Sequence, residues 1–432
     1  MKLHVDAFRA GAAGLLAAGM LAAAHRPALA QFAVPAPPIT PQPLFDFGRT
    51  LQQNGIYLYG LDVNHVAGLV GGGLQHGSVF NGELLGGVTF DLQTMAGLQG
   101  SSFHVNIDER YGPGITPYAG MLYGLEANVG PQPTFRLSGL YWEQTFANNQ
   151  VNVLVGRTQP GFDFDVSDFG CEFVNGTSCS QPNAWLYDDN VIPYPASTWG
   201  TRINVNFAHH IYARVGAYQE QPYQLVSGQH GFTFGTEDSD GVAIPFEVGY
   251  QTTLFNADYP SKYTVGGLYD TGSYTDPHYA PPATKNGRSA FYMVLEQTVW
   301  RPYPHSPQYL SLFGGVYVGT GGFQVFRHEI YAGLYARGPF QFRPYDSLGF
   351  QAGYVTLDKL SGSNYATESV LEAFYGINIA SGVTMKPYMQ YVIHPDGIGY
   401  ESEQHPSNAV VLGFQVNIDL NTGLGLPFFI PH

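Results

Sequence analysis

The sequence predicts an all-β fold, a transmembrane antiparallel β-barrel of sixteen strands, and three observations carry that expectation. Only 12% of the 432 residues are charged, against 15% aromatic, with 54 glycines and 30 tyrosines. Soluble domains carry roughly 25% charged residues, so much of this surface is built for an environment other than water. Beyond Ala30 no window approaches the ~20 consecutive apolar residues of a transmembrane helix. From Gly55 onward the dominant period is two, which sets successive side chains on opposite faces of a strand. A chain without apolar helices crosses a bilayer only as a closed barrel, because hydrocarbon satisfies no open sheet edge.

The elements follow in order. Lys2 and Arg9 flank the start of an apolar run from Gly11 to Ala24, and Ala28-Leu29-Ala30 precedes Gln31. This is the pattern of a secretory signal peptide, so residues 1–30 are expected to be cleaved on export. The run is too short to span about 30 Å of hydrocarbon. Residues 31–53 form a lead-in in which Pro35, Pro37, Pro38, Pro41 and Pro43 oppose regular pairing. Residues 54–420 are the barrel domain and 421–432 a tail. Strands are expected near 55–69, 79–92, 101–109, 134–146, 150–157, 200–207, 210–219, 241–253, 261–271, 289–299, 308–319, 326–337, 347–356, 368–380, 384–393 and 408–420. The last is the clearest: Val410, Leu412, Phe414, Val416, Ile418 and Leu420 oppose Val411, Gly413, Gln415, Asn417 and Asp419. Connections alternate between short turns and long loops, as the periplasmic and extracellular ends of an outer-membrane barrel do.

Composition and motifs exclude several function classes. The net charge of −15 becomes more negative once Lys2, Arg9, Arg26 and Asp6 are removed, which disfavours nucleic acid as a partner. G-x-S-x-G, H-E-x-x-H and Walker patterns are missing, so neither an enzyme nor a cofactor is expected. Cys171 and Cys179 in an exported chain favour a loop disulfide over two free thiols, without zinc-ligand spacing. Asp163, Asp165 and Asp168 lack the glycine and distal glutamate of a calcium loop. His209-His210 falls in a two-residue turn and is expected to be solvated.

The inward face is therefore where function is sought. Strand parity places Arg202, Arg214, Glu247, Glu296, Glu329, Arg337, Glu372, Lys386 and Gln390 there, beside Tyr212, Tyr218, Tyr292, Tyr331 and Tyr335. Four cations and four anions suit a neutral polyol better than an ion, since a simple ion pore clusters one sign of charge. Each of these residues either handles solute or braces the wall. Arg202 and Glu372 are expected to face lumen water. The longest connection, residues 158–199, carries the cysteines, Trp185, Tyr187, Asp188, Asp189, Tyr194 and Trp199. It either folds inward to narrow the channel or caps the barrel mouth.

Motifs along most of the chain carry a resemblance. They include Gly97-Leu98-Gln99-Gly100 leading to Phe103-His104, Trp142-Glu143-Gln144, Val155-Gly156-Arg157, and Phe169 to Asn175 with both cysteines. Trp199-Gly200, Gly216-Ala217-Tyr218, Glu247-Val248-Gly249-Tyr250, Gly266 to Gly272, Arg343-Pro344-Tyr345-Asp346 and Pro387 to Tyr391 follow in order. Together they resemble the OprB-type carbohydrate-selective porins. The resemblance implies an outer-membrane pore passing monosaccharides and small oligosaccharides passively, glucose-like solutes favoured. It implies outer-membrane lipid around the barrel, insertion by the barrel-assembly machinery, and leaves monomer and homotrimer both open. It places selectivity on arginines and glutamates near the constriction, here Arg157, Arg202, Glu247, Glu372 and Gln390. Simple alternation aims Arg157 outward unless a bulge after Gly156 or the strand end turns it. The rival readings are a cation-leaning general pore, an outer-membrane enzyme and a soluble secreted β-protein.

Overall fold

The computed structural model describes residues 43–122, 124–130, 133–208, 210–253, 259–361, 365–396 and 406–430. The expected signal peptide, most of the proline-rich lead-in and His209 lie outside the described residues. The sixteen strands are β1 (Ile56–Gly73), β2 (Gly77–Asp91), β3 (Ser101–Tyr111), β4 (Phe135–Phe146), β5 (Val151–Thr158), β6 (Thr198–Ala208), β7 (Ile211–Glu220) and β8 (Gly241–Thr253), then β9 (Pro260–Asp276), β10 (Ala283–Trp300), β11 (Tyr309–Gly321), β12 (Phe326–Arg337), β13 (Ser347–Leu357), β14 (Thr367–Ala380), β15 (Val383–Ile393) and β16 (Ser407–Asp419). Each pairs antiparallel with its chain neighbours, and β1 pairs with β16 to close the barrel.

Alternation sets the two faces of this wall. In β16 Leu412 and Phe414 are exposed while Ala409, Val411 and Gln415 are buried. Phe207, Val265 and Phe291 continue the exposed apolar belt on other strands. Such a belt is unfavourable in water but suits lipid, where it meets acyl chains. The opposite face carries His65, Asn81, Arg202, Glu247, Glu296, Glu329, Glu372 and Lys386, all buried.

Connections sort by side. Turns 147–150, 301–308, 338–346 and 381–382 are short, whereas loops 112–134, 159–197 and 221–240 on the opposite side are long. The short side is therefore periplasmic. The β1–β2 connection shortens to 74–76, and three further boundaries differ from expectation for local reasons. The β9–β10 hairpin keeps pairing to Ala283 opposite Asp276, so its expected long loop shrinks to 277–282. The prolines of the lead-in stop at Pro43, and a helix forms over Phe45–Gln53. The last strand ends at Asp419, whose carboxylate accepts from Asn421 N and Thr422 N and so starts the helix Leu420–Leu424.

Candidate functional site

Loop 159–197 folds into the barrel. Its apolar side chains meet aromatics of the inward wall: Phe169 lies 5.8 Å from Phe313 and 5.4 Å from Tyr335, Phe173 lies 5.1 Å from Phe374, and Trp185 lies 5.9 Å from Tyr292. Cys171 and Cys179 are disulfide-bonded at the turn of this loop. The two limbs approach so closely there that a Cβ on Gly170 would stand 1.7 Å from Ser178 O, which explains the glycine.

Backbone donors along the loop need acceptors once water is displaced, and wall carboxylates supply them. Glu247 accepts from Asp165 N at 3.1 Å. Glu296 accepts from Asp168 N at 2.6 Å and Ser167 Oγ at 2.7 Å. Glu329 accepts from Ala184 N at 2.6 Å. Glu372 accepts from Val174 N at 2.7 Å, Asn175 N at 2.8 Å and Asn175 Nδ2 at 2.7 Å. Wall cations donate to the loop carbonyls in turn: Arg214 to Asp163 O, Lys262 to Val166 O and Lys386 to Glu172 O. The loop is thus laced to the wall by charge-assisted bonds, stronger than neutral ones. Loop 112–134 is held the same way, by Glu368 accepting from Leu122 N and by Gln390 donating to Leu125 O at 2.9 Å.

Loop acids that keep some side-chain exposure are paired with largely buried wall cations. Arg202 Nε lies 3.0 Å from Asp163 Oδ1 and its Nη2 lies 3.0 Å from Glu143 Oε1. Lys262 Nζ lies 2.8 Å from Asp168 Oδ1, and Lys386 Nζ 3.8 Å from Glu172 Oε2. Side-chain exposure is 15% for Asp163, 32% for Asp168 and 42% for Glu172. Asp168 and Glu172 keep the most exposure, Asp163 is largely covered, and a wall cation lies beside each of the three acids.

The expected site residues divide accordingly. Arg202 and Arg214 join the loop-facing cluster, and Arg337 stays half-buried near the periplasmic turn. Glu247, Glu296, Glu329, Glu372 and Gln390 lie beneath the loops. Neither Arg202 nor Glu372 faces lumen water as expected: Arg202 is buried between Asp163 and Glu143, and Glu372 is 1% exposed because Val174 and Asn175 cover it. Arg157 and Trp199 are not brought to the constriction. The β4–β5 and β5–β6 registers run unshifted through Leu140, Arg157 and Trp199, so no bulge turns Arg157, and directly paired residues share a face. Trp199 is exposed and donates to Phe234 O at 2.9 Å. Arg157 is fully buried, donating to Ser197 O and Thr233 O under the Phe234 ring. It ties loop 221–240 to the wall where the inward loop departs. Glu143 and Lys262 were overlooked as candidates although parity with Tyr141 and Thr264 marks both as inward.

Burial also sets protonation in the loops. Burial pushes the Asp188 carboxyl up to about 7, although Val325 N and Phe326 N donate to it at 2.6 and 3.0 Å. Burial likewise pushes Glu126 up to about 7, against donation from Ile115 N and Asn81. Both acids are anchors that change charge near neutrality.

A closed sixteen-strand barrel, lipid-facing outside and narrowed by an inward loop with paired charges, defines an outer-membrane porin. A family model described as the carbohydrate-selective porins of the OprB family matches residues 76–420. Porin B of Pseudomonas aeruginosa is 26% identical over 369 residues, covering 76% of this chain and 79% of that protein. A solved structure of Pseudomonas putida OprB at high pH superposes with a TM-score of 0.79 at 23% identity, covering 87% of this chain and 97% of that one. Its low-pH counterpart has a TM-score of 0.57 at 20% identity, covering 87% and 96%. The chain belongs to the OprB family of carbohydrate-selective porins. It is a bacterial outer-membrane diffusion channel for sugars, not an enzyme.

Proposed function

We propose that selectivity for small neutral sugars resides in the charge-compensated rim of loop 159–197, centred on Arg202, Asp163 and Glu143 with Arg214 beside them. The pairing of the three loop acids, Asp163, Asp168 and Glu172, with wall cations carries this reading. Guanidinium groups donate to sugar hydroxyls and carboxylates accept from them, while the balanced charge gives ions little preference. A cation-leaning pore would instead present uncompensated acids. Glu247, Glu296, Glu329, Glu372 and Gln390 act one step back, by fixing the shape of the rim. Arg337 lines the route below it. Residues 1–30 act as the export signal, and insertion uses the barrel-assembly machinery; crosslinking in native membranes separates monomer from homotrimer. The test is Arg202→Ala in liposome swelling. Sugar entry is expected to fall about tenfold, the loss of one charge-assisted hydrogen bond worth ~1.5 kcal/mol, while cation preference rises because Asp163 and Glu143 lose their partner. Unchanged sugar rates would refute the assignment.

A further inference from the structure

The segment after the last strand does not leave the barrel. Asn421 Nδ2 donates to Leu58 O at 2.8 Å, Gly60 N donates to Asn421 Oδ1 at 3.1 Å, and Leu44 N donates to Leu424 O at 3.0 Å. These bonds fix the tail against the start of β1, at the periplasmic mouth. From there the chain brings Phe429 to 5.1 Å from Tyr57 and 5.9 Å from His104, with rings at 67° and 70°. His104 in turn stacks on Tyr141 at 4.6 Å and 14°.

The wall residues of this cluster form one row. Tyr57 pairs with Thr89, Thr89 with His104 and His104 with Tyr141, so all four share the inward face. Thr89 Oγ1 at 3.0 Å and Ser102 Oγ at 2.9 Å hold both nitrogens of His104 and fix its plane. The row adjoins the proposed selectivity rim: Glu143 Oε2 is 3.6 Å from His104 Nε2 and binds Arg202 through its other oxygen. Tyr57, Tyr141 and Phe429 are only half-buried. Apolar ring area facing an aqueous channel is unfavourable unless something apolar covers it. The family match ends at residue 420, so Phe429 lies outside the segment shared with the family model.

We propose that Phe429, with Tyr57 and Tyr141 positioned over the buried His104, forms a sugar-stacking subsite at the periplasmic exit, where pyranose C–H faces meet aromatic rings as hydroxyls leave Arg202 and Glu143. This rests on the sugar-selective reading above. A cyclic sugar offers a flat C–H face to such rings, whereas an acyclic polyol offers the same hydroxyls without one. The subsite therefore discriminates ring from chain.

The test compares D-glucose, sorbitol and a neutral amino acid of similar size in liposome swelling, for the full chain and for Phe429→Ala, Phe429→Leu and Phe429→Tyr. Heat-modifiable migration identifies assembled barrels, and Phe429→Leu preserves apolar bulk should Phe429→Ala fail to assemble. The glucose-to-sorbitol ratio is expected to fall about fivefold in the Ala and Leu variants, equivalent to ~1 kcal/mol, and to be retained in the Tyr variant. An unchanged ratio in assembled Ala or Leu variants, with the native pore still preferring glucose over the amino acid, overturns the subsite and leaves the sugar reading standing. An equal rise for all three solutes overturns it in favour of a simple plug. A native pore without preference for glucose over the amino acid overturns both readings.

Discussion

Replacing Glu372 by alanine removes the acceptor of Val174 N, Asn175 N and Asn175 Nδ2 and one partner of Gln390 Nε2. The ladder around it survives, since Gln351, Glu372 and Gln390 are paired through their backbones across β13, β14 and β15. A buried donor left without an acceptor costs about 1–3 kcal/mol. Two backbone donors thus give ~2–6 kcal/mol, which water entering the vacated space and relief of the buried carboxylate reduce to about 2–3 kcal/mol. Every 1.4 kcal/mol is tenfold in an equilibrium, so local opening of the loop rises roughly 100-fold. Hydrogen exchange of the detergent-solubilised pore reads this directly at Val174 and Asn175. Both amides are expected to exchange about 100-fold faster, while the amides of β13 and β15 keep their protection. Unchanged protection at both positions together with altered sugar entry would refute the reasoning, because Glu372 would then act on solute rather than on the loop.

Removing the Cys171–Cys179 bond by Cys171→Ser is expected to weaken the loop by ~2–3 kcal/mol and increase noise in single-channel current; quiet traces identical to the native pore would contradict this. Arg157→Ala is expected to loosen loop 221–240, seen as faster exchange at Thr233 and Phe234, with sugar selectivity unchanged; lost selectivity with an intact loop would return Arg157 to the constriction. Asp188 gives a pH signature. Its carboxyl is held at about 7 against an ordinary 3.8, so between these values the native state keeps a proton that the unfolded state has released. Its contribution is therefore greatest in acid and is lost as pH rises toward 7. Thermal midpoints from about pH 4 to pH 8 should fall more for the native protein than for Asp188→Asn; parallel curves would contradict the assignment.

The barrel was legible because period-two alternation is written locally. Val411, Gly413 and Gln415 against Leu412 and Phe414 suffice to orient β16, and the same reading put Arg202, Glu247, Glu296, Glu329 and Glu372 inside. Parity gives a side but neither a depth nor a cover. Nothing local to Glu372 reveals that Val174 and Asn175, nearly two hundred residues away, lie over it and turn a lumen carboxylate into a brace. Arg157 was misplaced for the opposite reason: family analogy outweighed alternation, and the unshifted register sided with alternation. Trp199 was read as part of the long connection, whereas it belongs to β6 and lies on the exposed face. The end of β16 depended on a capping carboxylate, Asp419, in a segment that otherwise reads as strand. The meeting of Phe429 with Tyr57 and His104 joins the two ends of the chain, a contact that only barrel closure creates.

The proposed selectivity rests on a loop-narrowed lumen whose rim acids are paired with wall cations, admitting sugars by chemistry rather than by size alone. Reconstituting the native chain and measuring glucose entry beside a neutral amino acid of equal size, with the reversal potential in a salt gradient on the same preparation, tests that claim most directly. Faster glucose entry with a reversal potential near zero is the predicted result. Equal entry of the two solutes with strong cation preference would contradict it.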